Sequence, residues 1–186
     1  NGYLFYIKNI LNIFTNRIFI GWGRKRTGQF ACFLSVKFKG KFKLLEDGFI
    51  RSVGLGVEGA KLLSVVEDDF GIYYDATQPS RLEHILATSE FSTKIICEAR
   101  WCIDFIISNH ICKYNNAPDI TTAQVQKYEL QNNSNILIIA QTHGDASLEY
   151  GLANQFSTLD MINAAINENP NSNILLKIHQ DVLSGK

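Results

Sequence analysis

Leu44-Leu45-Glu46-Asp47-Gly48-Phe49-Ile50-Arg51-Ser52-Val53-Gly54-Leu55-Gly56 places two adjacent carboxylates, a glycine turn, an arginine and two more glycines directly after a short apolar segment. Alone, the run has two readings. Turns collect Asp and Gly freely, so it could be a solvated strand end. Loops carried on a rigid scaffold also hold most binding chemistry, so it could be a site. The flanking sequence decides between folds. Upstream, Arg17-Ile18-Phe19-Ile20-Gly21-Trp22-Gly23 reads as a buried strand ending in a glycine turn. Thr27 then opens a predicted helix to about Val36, with Phe30, Phe33 and Leu34 on one face, and Lys43-Leu44-Leu45 is a second short strand. Strand, helix, strand is a βαβ signature, and ligands of such sheets sit beyond the carboxyl ends of the strands. Gly21-Trp22-Gly23 lacks the third glycine of a dinucleotide fingerprint, which argues against NAD.

Downstream, Leu62-Leu63-Ser64-Val65-Val66 and Gly71-Ile72-Tyr73-Tyr74 flank Glu67-Asp68-Asp69-Phe70 and predict a hairpin. The acidic tip resembles the metal motif of some glycosyltransferases, but plain turn chemistry explains it as well, and no metal is assigned. Ser80 is expected to start a short helix with Leu82, Ile85 and Leu86 inward. Ser89 or Ser92 opens a longer one to about Cys112, predicted to be nearly all core. Residues 115–134 are rich in Asn, Gln and Thr and contain Pro118, as a linker would be. Asn135-Ile136-Leu137-Ile138-Ile139-Ala140 is a fully apolar strand of the kind buried in parallel sheets. It ends in Gln141-Thr142-His143-Gly144-Asp145-Ala146-Ser147, a helix follows over about 155–167, and Ile174-Leu175-Leu176-Lys177-Ile178-His179 is a further strand. The expected class is α/β: an N-terminal domain over 1–114, a linker over 115–134, and the start of a second Rossmann-like domain over 135–186, read as incomplete.

Composition narrows the function classes. The 186 residues carry 18 Lys and Arg against 18 Asp and Glu, which gives no bulk case for nucleic acid. A local basic patch does stand out: Arg24-Lys25-Arg26, then Lys37, Lys39, Lys41 and Lys43. It reads either as a solvated face or as a surface for anionic lipid or phosphorylated substrate. Cys32, Cys97, Cys102 and Cys112 form no C-x-x-C pair, and buried thiols in a reducing cytoplasm are expected. The apolar opening, a predicted helix over 3–14, is interrupted by Lys8, Asn9 and Asn12 and is too short to cross a bilayer.

Glu46-Asp47-Gly48-Phe49-Ile50-Arg51-Ser52, together with Gly71-Ile72-Tyr73-Tyr74-Asp75-Ala76-Thr77-Gln78-Pro79-Ser80-Arg81-Leu82-Glu83, resembles the bacterial capsule polysaccharide biosynthesis proteins, in particular the KpsC-type β-Kdo transferases. Gly21 to Lys25, Lys113-Tyr114-Asn115, Gln141 to Ser147 and Lys177 to Val182 recur in the same order, from about residue 18 to the end. One departure is Gln180, where the family usually has proline. The resemblance implies a two-domain, GT-B-like glycosyltransferase, of which this chain would be part of one module. It would move the eight-carbon acidic sugar Kdo from CMP-Kdo to a β-Kdo linker on lyso-phosphatidylglycerol, in the cytoplasm at the inner face of the membrane. Other capsule assembly proteins are implied as partners. No cofactor is implied.

In the family that the chain resembles, donor and product are both β-linked, so the resemblance implies retention of configuration, and double displacement through a carboxylate is the simplest route. Asp145 aligns with the family's candidate nucleophile. Glu46 is the candidate acid/base and Asp47 its rival. Arg51 and Ser52 are candidates for the sugar carboxylate or phosphate, where a guanidinium fork suits bidentate contact. Lys177 and His179 are candidates for the CMP phosphate. Each has a structural counterpart: Asp145 as a helix N-cap, Glu46 or Asp47 paired to Arg51 to hold the turn, His179 as a packed strand end. A non-catalytic glycan- or lipid-binding module is the alternative function, and a nucleotide-sugar epimerase a weaker one. The isolated chain is expected to be inactive.

Overall fold

The computed structural model describes residues 17–130 and 134–179; the helix expected over 3–14 and Gln180 fall outside them. The chain divides into two compact units, Asn1–Ala117 and Pro118–Lys186. In the first, β1 (Ile18–Trp22) leads through α1 (Arg26–Lys37) to β2 (Lys41–Asp47), which pairs parallel with β1. β3 (Val65–Asp68) then joins β2 antiparallel, giving the sheet order β1-β2-β3. Helices α2 (Arg81–Thr88) and α3 (Thr93–Ser108) complete this unit. The second holds α4 (Thr122–Lys127), β4 (Asn135–Ile139), α5 (Ala146–Tyr150), α6 (Thr158–Glu168) and β5 (Asn173–Lys177), with β4 and β5 parallel. The α/β class and both parallel pairs follow the expectation.

The first βαβ crossing is very tight. A Cβ on Gly28 would lie 1.8 Å from the Gly23 carbonyl oxygen, and one on Gly21 would lie 2.2 Å from that of Thr27. Helix and strand therefore approach at glycine-only distance. That is the packing role of the third glycine in dinucleotide folds, filled here by Gly28, two positions later than the fingerprint spacing. The inward face of α1 is accordingly small: Gly28, Ala31 and Ser35 are its buried residues. Phe30 and Phe33, expected on one face, do share one, and it points outward: both are more than half exposed.

The predicted hairpin does not form. Val65–Asp68 is a strand, but it pairs with β2, and 71–74 is a turn. The cause is Asp68, a fully buried side chain whose Oδ1 accepts from the amides of Phe70 and Gly71 while Oδ2 accepts from Arg81. A carboxylate binding three backbone N–H groups turns the chain and starts α2 in one stroke. Asp69 pairs with Arg81 at 2.7 Å, and the hydrogen bond from that guanidinium holds its carboxyl below the usual range. The acidic tip is thus turn chemistry. Ser80 caps α2 as expected, in a reciprocal pair with Glu83.

Three other expectations are corrected. Glu46 and Asp47 are the last two residues of β2 rather than the loop after it. α3 ends at Ser108, and neither it nor α2 buries a residue: Leu82, Ile85 and Leu86 are exposed, as are Trp101 and Phe105. Cys97, Cys102 and Cys112 are exposed and Cys32 half-buried, so the thiols are not core residues here. Apolar periodicity marks which face of a helix wants cover and says nothing about what supplies it. No helix among the described residues is long and apolar enough to cross a membrane.

Candidate active site

Strand alternation sends the two adjacent acids to opposite faces of the sheet, so they do not form a carboxylate pair. Glu46 turns toward the β1–α1 turn. Its Oε1 accepts from the Trp22 indole N–H at 2.9 Å and from the Asp47 amide at 3.2 Å. The Tyr74 hydroxyl also hydrogen-bonds Glu46, and it accepts from the Arg24 amide at 2.9 Å. Gly23, at φ +38°, makes room for this: a Cβ there would stand 2.2 Å from the Tyr74 hydroxyl and 2.7 Å from Glu46 Oε2. Burial, with the Glu46 charge behind it, pushes the Tyr74 phenol up to about 12.

That shift has a consequence for stability. A folded-state pKa above the unfolded value near 10 contributes stability at lower pH, which is lost as pH rises through about 12. Tyr74→Phe is expected to destabilise the fold by about 1 kcal/mol of lost hydrogen bonding, with a modest fall in melting temperature, and to flatten the alkaline limb of the profile. Melting curves across that pH range check it; an unchanged alkaline limb would mean that the buried phenol does not set the alkaline loss of stability.

Asp47 takes the other direction. It pairs with Arg51 Nε at 2.8 Å, and Arg51 Nη1 donates to Ser52 Oγ at 2.9 Å. Ser52 is buried and donates to the Gly54 carbonyl. The structural counterpart weighed for Arg51 and Asp47 is therefore present: the pair holds the turn. The same loop is pinned from a distance. Arg51 and Ser52 N–H donate to the Lys113 carbonyl and Gly54 N–H to that of Tyr114, while the Asn115 side chain donates to the Ser52 carbonyl. Lys113-Tyr114-Asn115 is thus a backbone clamp on the acidic loop.

The second signature run is scaffold. Asp75, with a fully buried side chain, pairs with Arg24 at 2.5 Å and accepts from the amide and hydroxyl of Thr77. Burial alone would raise its pKa; the Thr77 and Arg24 hydrogen bonds outweigh it and hold the carboxyl below its usual range. Arg24-Asp75 and Glu46-Tyr74 together tie the β1–α1 turn to the 71–77 turn. Sequence reasoning missed Trp22, Arg24, Tyr74 and Asp75 as a set. Their signal was there, an aromatic and a cation beside glycine matched by Tyr-Asp fifty residues on, but pairing across that separation needs the fold.

In the second unit, β4 and β5 end together, Ile139 opposite Lys177. Asp145 follows β4 and caps α5: its Oδ1 accepts from the Ser147 amide at 2.8 Å, and Oδ2 has no partner among the described residues. The side chain is exposed, and Gly144 turns the chain into it at φ +76°. Thr142 Oγ1, in the same turn, is buried without a partner among the described residues. Lys177 is exposed at the end of β5, and His179 lies two residues beyond. Asp145, Lys177 and His179 thus share one edge of this unit; in the other, Asp47, Arg51 and Ser52 are joined and Glu46 points away from them. No group of three or more His, Cys, Asp or Glu among the described residues is placed to hold a metal ion.

The family model "Capsule polysaccharide biosynthesis protein" matches residues 18–186. The chain belongs to this family. Among capsule family relatives, the capsule polysaccharide modification protein LipA of Neisseria meningitidis serogroup A is 42% identical over 168 residues, which is 90% of this chain and 24% of LipA. The lipopolysaccharide-processing protein LpsZ of Rhizobium meliloti is 31% identical over 175 residues, 92% of this chain and 39% of LpsZ. Among solved structures, Thermosulfurimonas dismutans KpsC, beta Kdo 2,4 transferase, is similar at a TM-score of 0.81 and 37% identity, over 89% of this chain and 50% of that one. The beta Kdo 2,7 transferase of the same organism's KpsC gives 0.63 and 27%, over 94% and 51%. The chain therefore spans about a quarter of LipA and half of each solved transferase.

Proposed function

We propose that this capsule family chain is part of a CMP-Kdo-dependent glycosyltransferase of GT-B-like, two-domain build, contributing an acceptor-side domain and the first part of the nucleotide-sugar side. The observation that carries the reading is the similarity over nine-tenths of the chain to a β-Kdo transferase structure. Both the identity and the TM-score are higher for the 2,4 than for the 2,7 enzyme, which favours 2,4 linkage. The acceptor is a β-Kdo linker on a lyso-phosphatidylglycerol lipid, met by peripheral contact at the inner face of the cytoplasmic membrane.

The residues support a retaining double displacement. Asp145 offers an exposed carboxylate with one oxygen held by a backbone N–H and the other open. Oδ2 attacks the anomeric carbon, CMP leaves with the bonding pair, and the acceptor hydroxyl then displaces Asp145. Glu46, oriented by Trp22 and Tyr74, takes the acceptor's proton; Lys177 and His179 meet the departing phosphate. The turnover belongs to a chain of the relatives' length. Incubating such a protein with CMP-Kdo and a β-Kdo-terminated acceptor should release CMP and extend the acceptor; no CMP release would sink the transferase reading. A non-catalytic glycan- or lipid-binding module is the second reading, favoured by Asp145 serving as a helix cap and Arg51 being tied to Asp47.

A further inference from the structure

Helix α1 is built the wrong way round for a helix that needs only its sheet. Gly28, Ala31 and Ser35 face β1 and β2, whereas the opposite stripe, spaced by four, three and four, is Arg26, Phe30, Phe33 and Lys37. Phe30 is 60% exposed, Phe33 56% and the adjacent Val36 80%. The Phe30 and Phe33 rings stack along the stripe at 6.3 Å, and the Lys37 ammonium lies over Phe33 at 5.7 Å and Phe38 at 5.8 Å. The cation held over these rings puts positive charge and apolar surface on one face of the helix.

The charge along this stretch of sequence has one sign. From Arg24 to Lys43 the sequence holds seven cations (Arg24, Lys25, Arg26, Lys37, Lys39, Lys41 and Lys43) and no carboxylate, in a chain whose net charge is zero. Arg24 is committed to Asp75 and Lys43 to Glu67. Lys25, Arg26, Lys37, Lys39 and Lys41 are exposed around the apolar residues. A groove walled by Ile18, Val36 and Phe42 opens next to the C-terminal end of α1, with Lys41 at its side and Asp69, already paired with Arg81, at its edge.

We propose that the outer face of α1 is the surface by which this protein rests on an anionic lipid bilayer. Phe30, Phe33 and Val36 enter the acyl boundary, and Lys25, Arg26, Lys37, Lys39 and Lys41 meet the phosphates. A bilayer supplies an apolar layer and a sheet of negative charge together, and both halves of this face are matched by it. A protein partner would need an acidic apolar groove; residues 1–16 of this chain, themselves apolar, carry Lys8 and no carboxylate. The proposal deepens the lipid-borne acceptor reading and rests on it, naming the contact that brings the enzyme to that acceptor.

The test is co-sedimentation of the purified full chain with phosphatidylcholine vesicles, with and without phosphatidylglycerol. Binding is expected only with the anionic lipid, and is expected to fade as salt is raised. Phe30→Ser with Phe33→Ser should weaken it about tenfold, and Lys37→Glu with Lys41→Glu by a similar factor at low salt. All four positions are exposed, so an unchanged melting temperature verifies each variant's fold. Equal binding to both vesicle types would overturn the proposal, as would variants that bind like the parent. So would variants that dissolve a dimer without altering vesicle binding, which would assign the stripe to a second copy. Vesicle binding with no sugar transfer by the full-length enzyme would count against the transferase reading and leave the surface standing.

Discussion

Replacing Asp145 by alanine is expected to lower sugar transfer roughly a thousandfold or more, because a covalent route has no substitute for its nucleophile. Alanine alone would leave an ambiguity, since Asp145 also caps α5 through the Ser147 amide. Asp145→Ser resolves it. Serine caps a helix about as well as aspartate, while its hydroxyl, with no base at hand, is a poor stand-in for the carboxylate. The expected result is a serine variant that melts like the parent and releases almost no CMP from CMP-Kdo in a protein of the relatives' length. Near-normal turnover by it would make Asp145 a cap and nothing more. The site would then have to find its nucleophile elsewhere, with Glu46 a poor replacement, since its carboxylate is held by three donors, the Trp22 indole, the Asp47 amide and the Tyr74 hydroxyl.

The second large effect is on folding. Asp75→Ala should destabilise the first unit by about 3–5 kcal/mol, the usual cost of stripping one partner from a buried ion pair. Arg24 is 13% exposed and Asp75 fully buried, so solvent does little to compensate the guanidinium. The loss extends to Thr77, whose amide and hydroxyl both donate to the same carboxylate. pH offers an independent check. The folded Asp75 carboxyl lies below its unfolded value near 4, so its stabilisation is complete above that pH and is lost as pH falls through the lower folded value. Asp75→Asn should therefore melt earlier at neutral pH and show a shallower acid limb. A parent-like melting temperature for either variant would show that the pair is not what joins the two turns.

How far these residues could be foreseen follows from the range of the interactions. Both βαβ pairs, the Ser80 cap and the placement of Glu46, Asp145 and His179 near strand ends were legible because each rests on local signals: apolar runs, glycine turns and capping residues. The 62–74 hairpin was not, because two β-rich runs around an acidic turn look the same whether the second pairs back or stops. Asp68 decides the matter by binding three amides, and nothing in its neighbours announces that it is buried. For α1 the shared face of Phe30 and Phe33 was legible, but not which way it looks: the close passage over β1 admits only Gly28, Ala31 and Ser35. The tie between Trp22, Glu46 and Tyr74 joins stretches separated by more than twenty residues, and composition carries no trace of it.

The clamp that Lys113 and Tyr114 place on the acidic loop bears on when that loop can open. The amide protons of Arg51, Ser52 and Gly54 are all covered by carbonyls sixty residues further along the chain. They cannot reach solvent one at a time while that strap stays in place. Hydrogen exchange in the loop and the retreat of residues 113–115 become a single event with a single free energy. The loop that carries Arg51 and Ser52 is therefore as rigid as the strap beside it, and its mobility is set from outside its own sequence.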